Sequence, residues 1–266
     1  MQLGADAILA AGVIGAAAGL IGGLAGIGGS LVMLPGLALA LGYTGAAEAE
    51  QHLYIAAAMC VNVLVAASAS RLHLKRKAVD WGVVRWLLPS LGGALVLGVL
   101  ASNAVEGRVL RHMLAGAIAA YCLWNIILAV RGQPDVEPLP KARVGAAVAT
   151  GVAAGGLGGM LGLGGGVIMV PGLQILSRVP LRRAVASSAI AMVPTSAVGA
   201  SIKLVTLDQH GQVWTEALVL AAAMGVPAIL LAPVGAGLTH KLPIGTVRLA
   251  ISAVLLVSAA KLAGLF

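Results

Sequence analysis

Charge is what this chain has least of. Only 10% of its 266 residues are Asp, Glu, Lys or Arg, while 60% are hydrophobic; a soluble domain carries roughly 25% charged residues. No soluble fold covers that much apolar surface, so a soluble globular domain is excluded first. Cysteine is nearly as scarce. Cys60 and Cys122 both fall inside apolar runs, where they read as small helix-packing residues rather than a disulfide. Acidic residues are missing from the interior of every apolar run. Cation transporters and proton relays usually place a carboxylate there, which disfavours a cation substrate. The histidines His52, His73, His112, His210 and His240 are scattered without metal-ligand spacing, and HExxH, GxSxG and a P-loop lysine are all absent. The expectation is therefore no metal, no cofactor and no enzyme. Basic residues are missing before Arg71, so no signal-peptide n-region is present and the first apolar segment is expected to be retained.

What the chain does have is apolar runs, at 7–24, 53–69, 83–101, 113–130, 144–163, 184–202, 217–238 and 249–260. Most approach the ~20 residues that cross a bilayer. The net charge of +8 sits in short loops between these runs, where it reads as membrane orientation rather than nucleic-acid binding. The chain is also a duplication. Residues 19–37 (GLIGGLAGIGGSLVMLPGL) align without a gap on 155–173 (GGLGGMLGLGGGVIMVPGL), with ten of nineteen identical. This divides it into a first transmembrane repeat, 1–133, a proline-containing linker, 134–141, and a second repeat, 142–266, within one membrane domain.

The basic loops give a topology. Arg71, Lys75, Arg76 and Lys77 follow the second run of the first half, whereas Arg178, Arg182 and Arg183 precede the second run of the other half. The repeats therefore read as upside down relative to each other. Four runs per half conflict with inversion unless one fails to cross. The candidates are the long first elements, 7–41 and 144–176, each read as a re-entrant hairpin broken at its glycines. That places 13 of the 17 Lys and Arg on the cytoplasmic side, leaves Arg108, Arg111, Lys203 and Lys261 outside, and puts both termini outside. The expected fold is an all-α polytopic membrane protein of two inverted repeats, each a broken hairpin plus about three transmembrane helices.

Gly15 to Gly23 have the spacing that lets membrane helices approach closely. Gly26, Gly28 and Gly29 before Ser30, and Gly162, Gly164, Gly165 and Gly166, are dense enough to break a helix. A fresh half-helix is expected at Leu31 and at Val167, with Ser30 as an N-cap. Pro35 and Pro171 are expected to bend or end these half-helices. Amides freed at two such starts near the midplane suit a small oxyanion. Asn62, Thr195 and Ser196, inside the second run of each half, are the candidate side-chain donors, with Asn62 and Thr195 at roughly corresponding positions. The competing reading is that such hydroxyls bond to their own helix. Asn125 reads as helix-packing glue, and Arg111 and Arg248 as snorkelling residues.

The paired GxxGxGGxxxxxPG stretches, Gly23 through Gly36 and Gly159 through Gly172, resemble the signature of the sulfite exporter TauE/SafE family, and Thr195-Ser196 matches its Thr-Ser pair. The resemblance spans the whole chain. It implies a multi-pass permease of the bacterial inner membrane for small sulfur-containing anions such as sulfite, sulfoacetate or other organosulfonates, with the lipid bilayer as its surroundings and a coupling ion left open. The first repeat departs from the pattern, with Asn62-Val63 where the second has Thr195-Ser196 and Ser30 where it has Gly166. A passive anion channel shares these features; an intramembrane enzyme would need a nucleophile or metal site.

Overall fold

A computed structural model describes residues 4–45, 47–131, 144–238 and 244–264. All of its regular elements are helical: α1 Ala5–Ala25, α2 Ser30–Leu41, α3 Glu50–Lys75, α4 Trp81–Asn103, α5 Gly107–Arg131, α6 Val144–Met160, α7 Gly166–Ile175, α8 Leu181–Val205, a 3-10 turn Leu207–His210, α9 Trp214–Leu238 and α10 Ile244–Leu262. Among the described residues, six helices, α1, α3, α4, α5, α8 and α9, are long and apolar enough to cross a membrane. The linker at 134–141 lies outside the described residues.

The two long first elements are broken where glycine is densest. Gly26 and Gly28 in one half, and Gly162, Gly164 and Gly165 in the other, adopt positive φ, a conformation only glycine reaches without strain. The expected half-helix starts fall one residue earlier than read from sequence, at Ser30 and Gly166. The capping residue is Gly29, with no side-chain cap, so Ser30 is the first helical residue rather than the cap. Pro35 and Pro171 do not end their helices, which run on to Leu41 and Ile175. Each proline lies so close to the helix start that few intrahelical bonds precede it.

Packing exchanges the halves. Gly15, Gly19 and Gly23 of α1 rest on Met224, Ala228 and Ala232 of α9, while Gly151, Gly155 and Gly159 of α6 rest on Leu87, Leu91 and Leu95 of α4. A Cβ on any of these glycines would collide with the partner backbone, so both stripes are close-packing devices; the spacing of Gly15 to Gly23 predicts the first of them. The order of the contacts makes α1 parallel to α9, and α6 parallel to α4. α3 and α8 are the most buried of the long helices and pack on each other.

Polar contacts tie the bundle at its ends. His52, near the start of α3, meets Lys203, near the end of α8; Asp80, before α4, donates its amide to Ser187, early in α8 (3.0 Å). The two central helices therefore run antiparallel. Glu48 and Asp208 share one end of the bundle, and Lys75 and Arg182 share the other. Gly22 folds against Gly28, and Gly158 against Gly165, so α1–α2 and α6–α7 are hairpins. The end of α2 is fixed beside α3 by Tyr54, whose hydroxyl donates to the Gly42 carbonyl (2.6 Å).

The halves differ at their flanks. α10 packs against α2, but between α5 and the α6–α7 hairpin lies an apolar cavity of about 570 Å³, lined by Met113, Ala117 and Trp124 on one side and Leu161, Leu163 and Pro171 on the other.

Candidate functional site

The two breaks meet at the centre. Gly166 lies on the backbone of Ile27 so closely that a Cβ would come within 2.6 Å of the Ile27 carbonyl. Gly28 and Gly164 both face Asn62 of α3 and Met192 of α8; a Cβ on Gly164 would also lie 2.9 Å from Ser196 Oγ. Asn62 is fully buried and bridges the first break: its Oδ1 accepts from the Gly29 amide (2.9 Å), and its Nδ2 donates to Ser30 Oγ (2.5 Å). It thereby supplies the cap that Gly29 lacks. Ser188 holds the other edge by donating to the Gly26 carbonyl (2.7 Å).

Donors remain. Among the described residues, no acceptor meets the amides of Gly28, Ser30 and Leu31, or those of Gly164, Gly165, Gly166 and Val167. Ser196 Oγ is buried and also without a partner. Unsatisfied groups at membrane depth are costly, and here they belong to two helix N-termini that meet at the centre, where the dipoles favour negative charge. The room beside the first break is only about 10 Å³, lined by Gly26, Gly28, Ala66 and Met192 among others, enough for about one water. The structure is closed around this centre.

The sequence candidates therefore divide. Gly28, Gly29, Ser30, Asn62, Gly164, Gly166 and Ser196 come together. Gly26 and Gly162 sit one step outward, against Val185 and Ile55, and Gly165 lies on Ala154. Thr195 donates to the Ala191 carbonyl of its own helix (2.9 Å). The glycine contacts pair Gly26–Val185 with Gly162–Ile55, a register in which Met192, rather than Thr195, stands opposite Asn62. Met192 gave no sequence signal, because a methionine in an apolar run reads as core.

Three further readings change with the structure. Arg111 is not a snorkelling residue: its Nε lies 2.9 Å from a Glu48 carboxylate oxygen and its guanidinium stacks over Tyr43. The Arg248 side chain lies outside the described residues. His52 and His210, far apart in sequence, stack with centroids 3.6 Å apart. Lys203, counted as an external loop residue, is fully buried; its Nζ reaches His52 Nδ1 (2.8 Å), Ser102 Oγ (2.9 Å) and Asn103 Oδ1 (2.7 Å). These partners come from two other helices, α3 and α4, so no local pattern announces them.

Membrane-length helices in two repeats, with broken helices meeting at a buried centre, define a polytopic membrane protein with the broken-helix architecture found in transporters. The sequence profile described as Sulfite exporter TauE/SafE matches residues 11–262. The chain belongs to this family. It is similar to the probable membrane transporter protein MJ0441 of Methanocaldococcus jannaschii, with 25% identity over 69% of this chain and 68% of the relative. It is also similar to the probable membrane transporter proteins MamO of Magnetospirillum gryphiswaldense, at 24% over 91% of this chain, and of Paramagnetospirillum magneticum, at 25% over 70%. It spans only 42% and 34% of those two relatives.

Proposed function

We propose that this chain is a permease or exporter for small sulfur-containing oxyanions such as sulfite, sulfoacetate or organosulfonates, working as two inverted repeats in a bacterial inner membrane with both termini outside. The anion is held where the glycine breaks meet. The observation that carries this reading is the meeting of two helix starts whose amides at Gly28, Ser30 and Leu31 and at Gly164 to Val167 have no acceptor, beside the unpartnered hydroxyl of Ser196. Asn62 lines the site and frames the first break, and Thr195 would join the anion's shell on turning away from Ala191. The antiparallel course of α3 and α8 supports the inverted arrangement, and the closed centre calls for alternating access rather than an open pore.

The test is flux of sulfite and methanesulfonate in proteoliposomes. A carrier gives saturable flux that is stimulated by the same anion on the opposite side; flux that neither saturates nor shows this counterflow would point to a channel, and no anion flux at all would reject the reading. Ser196→Ala removes a donor without removing any bond in this structure, so it separates binding from folding. Gly28 and Gly164 are poorer probes, because their positive φ and the nearby Met192 make any side chain there a packing fault as well as a block.

A further inference from the structure

The Lys203 cluster has a definite protonation pattern. His52 Nε2 lies 3.1 Å from the Val105 carbonyl, which can only accept, so Nε2 carries a hydrogen. In a neutral ring Nδ1 is then a lone pair, the acceptor that Lys203 Nζ needs. Ser102 donates its own hydrogen to the Val99 carbonyl (2.7 Å), which leaves its oxygen free to accept from Lys203, and Asn103 offers a carbonyl oxygen. Three acceptors meet the three hydrogens of one ammonium. A second proton, on Nδ1, would face that ammonium directly, so the pair holds one proton in excess of neutrality.

No acidic side chain pairs with Lys203 among the described residues. The titratable groups facing it are His52 on α3 and His210 on the 3-10 turn, with Asp208 behind His210; α4 presents only Ser102 and Asn103. An uncompensated buried charge is costly, and its missing counter-charge has a natural source. Ser196 and Lys203 are seven residues apart on α8, on one face of the helix and about 10 Å apart along it at ~1.5 Å per residue.

Resting on the anion-carrier reading, we propose that Lys203 and His52 hold one exchangeable proton whose charge is coupled to the anion bound at the glycine breaks, so that the proton is the coupling ion. The reaction is Lys203–NH₃⁺ giving Lys203–NH₂ and H⁺ to water, with His52 neutral throughout. Lys203 Nζ sits at His52, ten residues from Asn62 on α3, so the two unit charges are about 10–15 Å apart; at an effective dielectric of about 20 they change each other's binding on the order of tenfold, and by linkage the effect is reciprocal. Loss of the proton also weakens the tie joining α8 to α3 and α4 at this end.

The experiment uses methanesulfonate, whose charge does not change near neutral pH, with the full-length protein. Calorimetry in detergent should show wild-type affinity falling about tenfold as the pH is raised. Lys203→Met should bind at the weak level at every pH. Lys203→Arg, which cannot be deprotonated, should hold a pH-independent affinity nearer the tight level. In proteoliposomes an imposed pH gradient should accelerate wild-type flux and leave both variants unresponsive. Potentiometric titration over the pH range in which the affinity falls should show wild type releasing one more proton than Lys203→Met. A pH-independent wild-type affinity, or a wild-type profile retained in Lys203→Met, overturns the proposal, and the first of these needs no variant to fold. If no form binds or moves methanesulfonate, the carrier reading fails instead. The titration still decides the site: a one-proton difference sustains it and no difference overturns it.

Discussion

Ser196 and Thr195 are neighbours with opposite situations. The Thr195 hydroxyl is occupied by the Ala191 carbonyl, whereas Ser196 Oγ is buried with nothing to bond. Ser196→Ala is therefore expected to weaken sulfonate binding by about 1.5–3 kcal/mol, the range for a hydrogen bond to a charged group, and Thr195→Val to cost less; calorimetry on the two variants ranks them. Asn62→Ala should act differently. It leaves the buried Gly29 amide unsatisfied, a penalty of about 1–3 kcal/mol, so the melting temperature in detergent should fall even without substrate. A melting temperature equal to wild type would mean that the Asn62 bridge does not hold the break.

The broken helices and the glycine stripe of α1 were legible at the scale of elements because both are local. Glycines as dense as Gly26, Gly28 and Gly29 or Gly162, Gly164, Gly165 and Gly166 lower helix propensity whatever surrounds them, and glycines at every fourth position mark a close contact whatever the partner. The partner was not legible: nothing in α1 names α9, and only the folded chain shows Gly19 on Ala228 and Gly155 on Leu91. Asn62 was visible as a polar residue in an apolar run, but its role as a cap depends on Gly29, more than thirty residues earlier. Lys203 was misread for the same reason. A single lysine ending an apolar run looks like a loop residue until helices from elsewhere surround it. Gly155→Leu is expected to abolish stable expression by separating α6 from α4. Gly93→Ala, on an exposed face of α4 with nothing within 4 Å, should be tolerated and can gain up to about 1 kcal/mol in helix propensity. Size-exclusion profiles of the two variants make the comparison.

Across the whole molecule, the bundle has two chemically different ends. One collects Glu48, Arg111, Lys203, His52 and Asp208; the other collects the loops that carry Lys75 and Arg182. Single cysteines near Glu48 and Asp208, in a chain whose Cys60 and Cys122 have been replaced, should react with an impermeant reagent from the periplasmic side. Those near Lys75 and Arg182 should not. Labelling of the Arg182 position from outside would break the proposed topology.

The cavity beside α5 gives this near-symmetric molecule a preferred moving part. The first hairpin is wedged, with α10 against α2 on its outer flank, while the second has about 570 Å³ of yielding apolar space at its back, space that lipid tails can fill and vacate. A rigid body displaced by thermal motion goes where its neighbours give way, so the second hairpin should swing while the first serves as its fixed wall. Filling that space with Ala117→Phe should slow anion exchange while leaving affinity intact, turning an asymmetry of packing into one of timing.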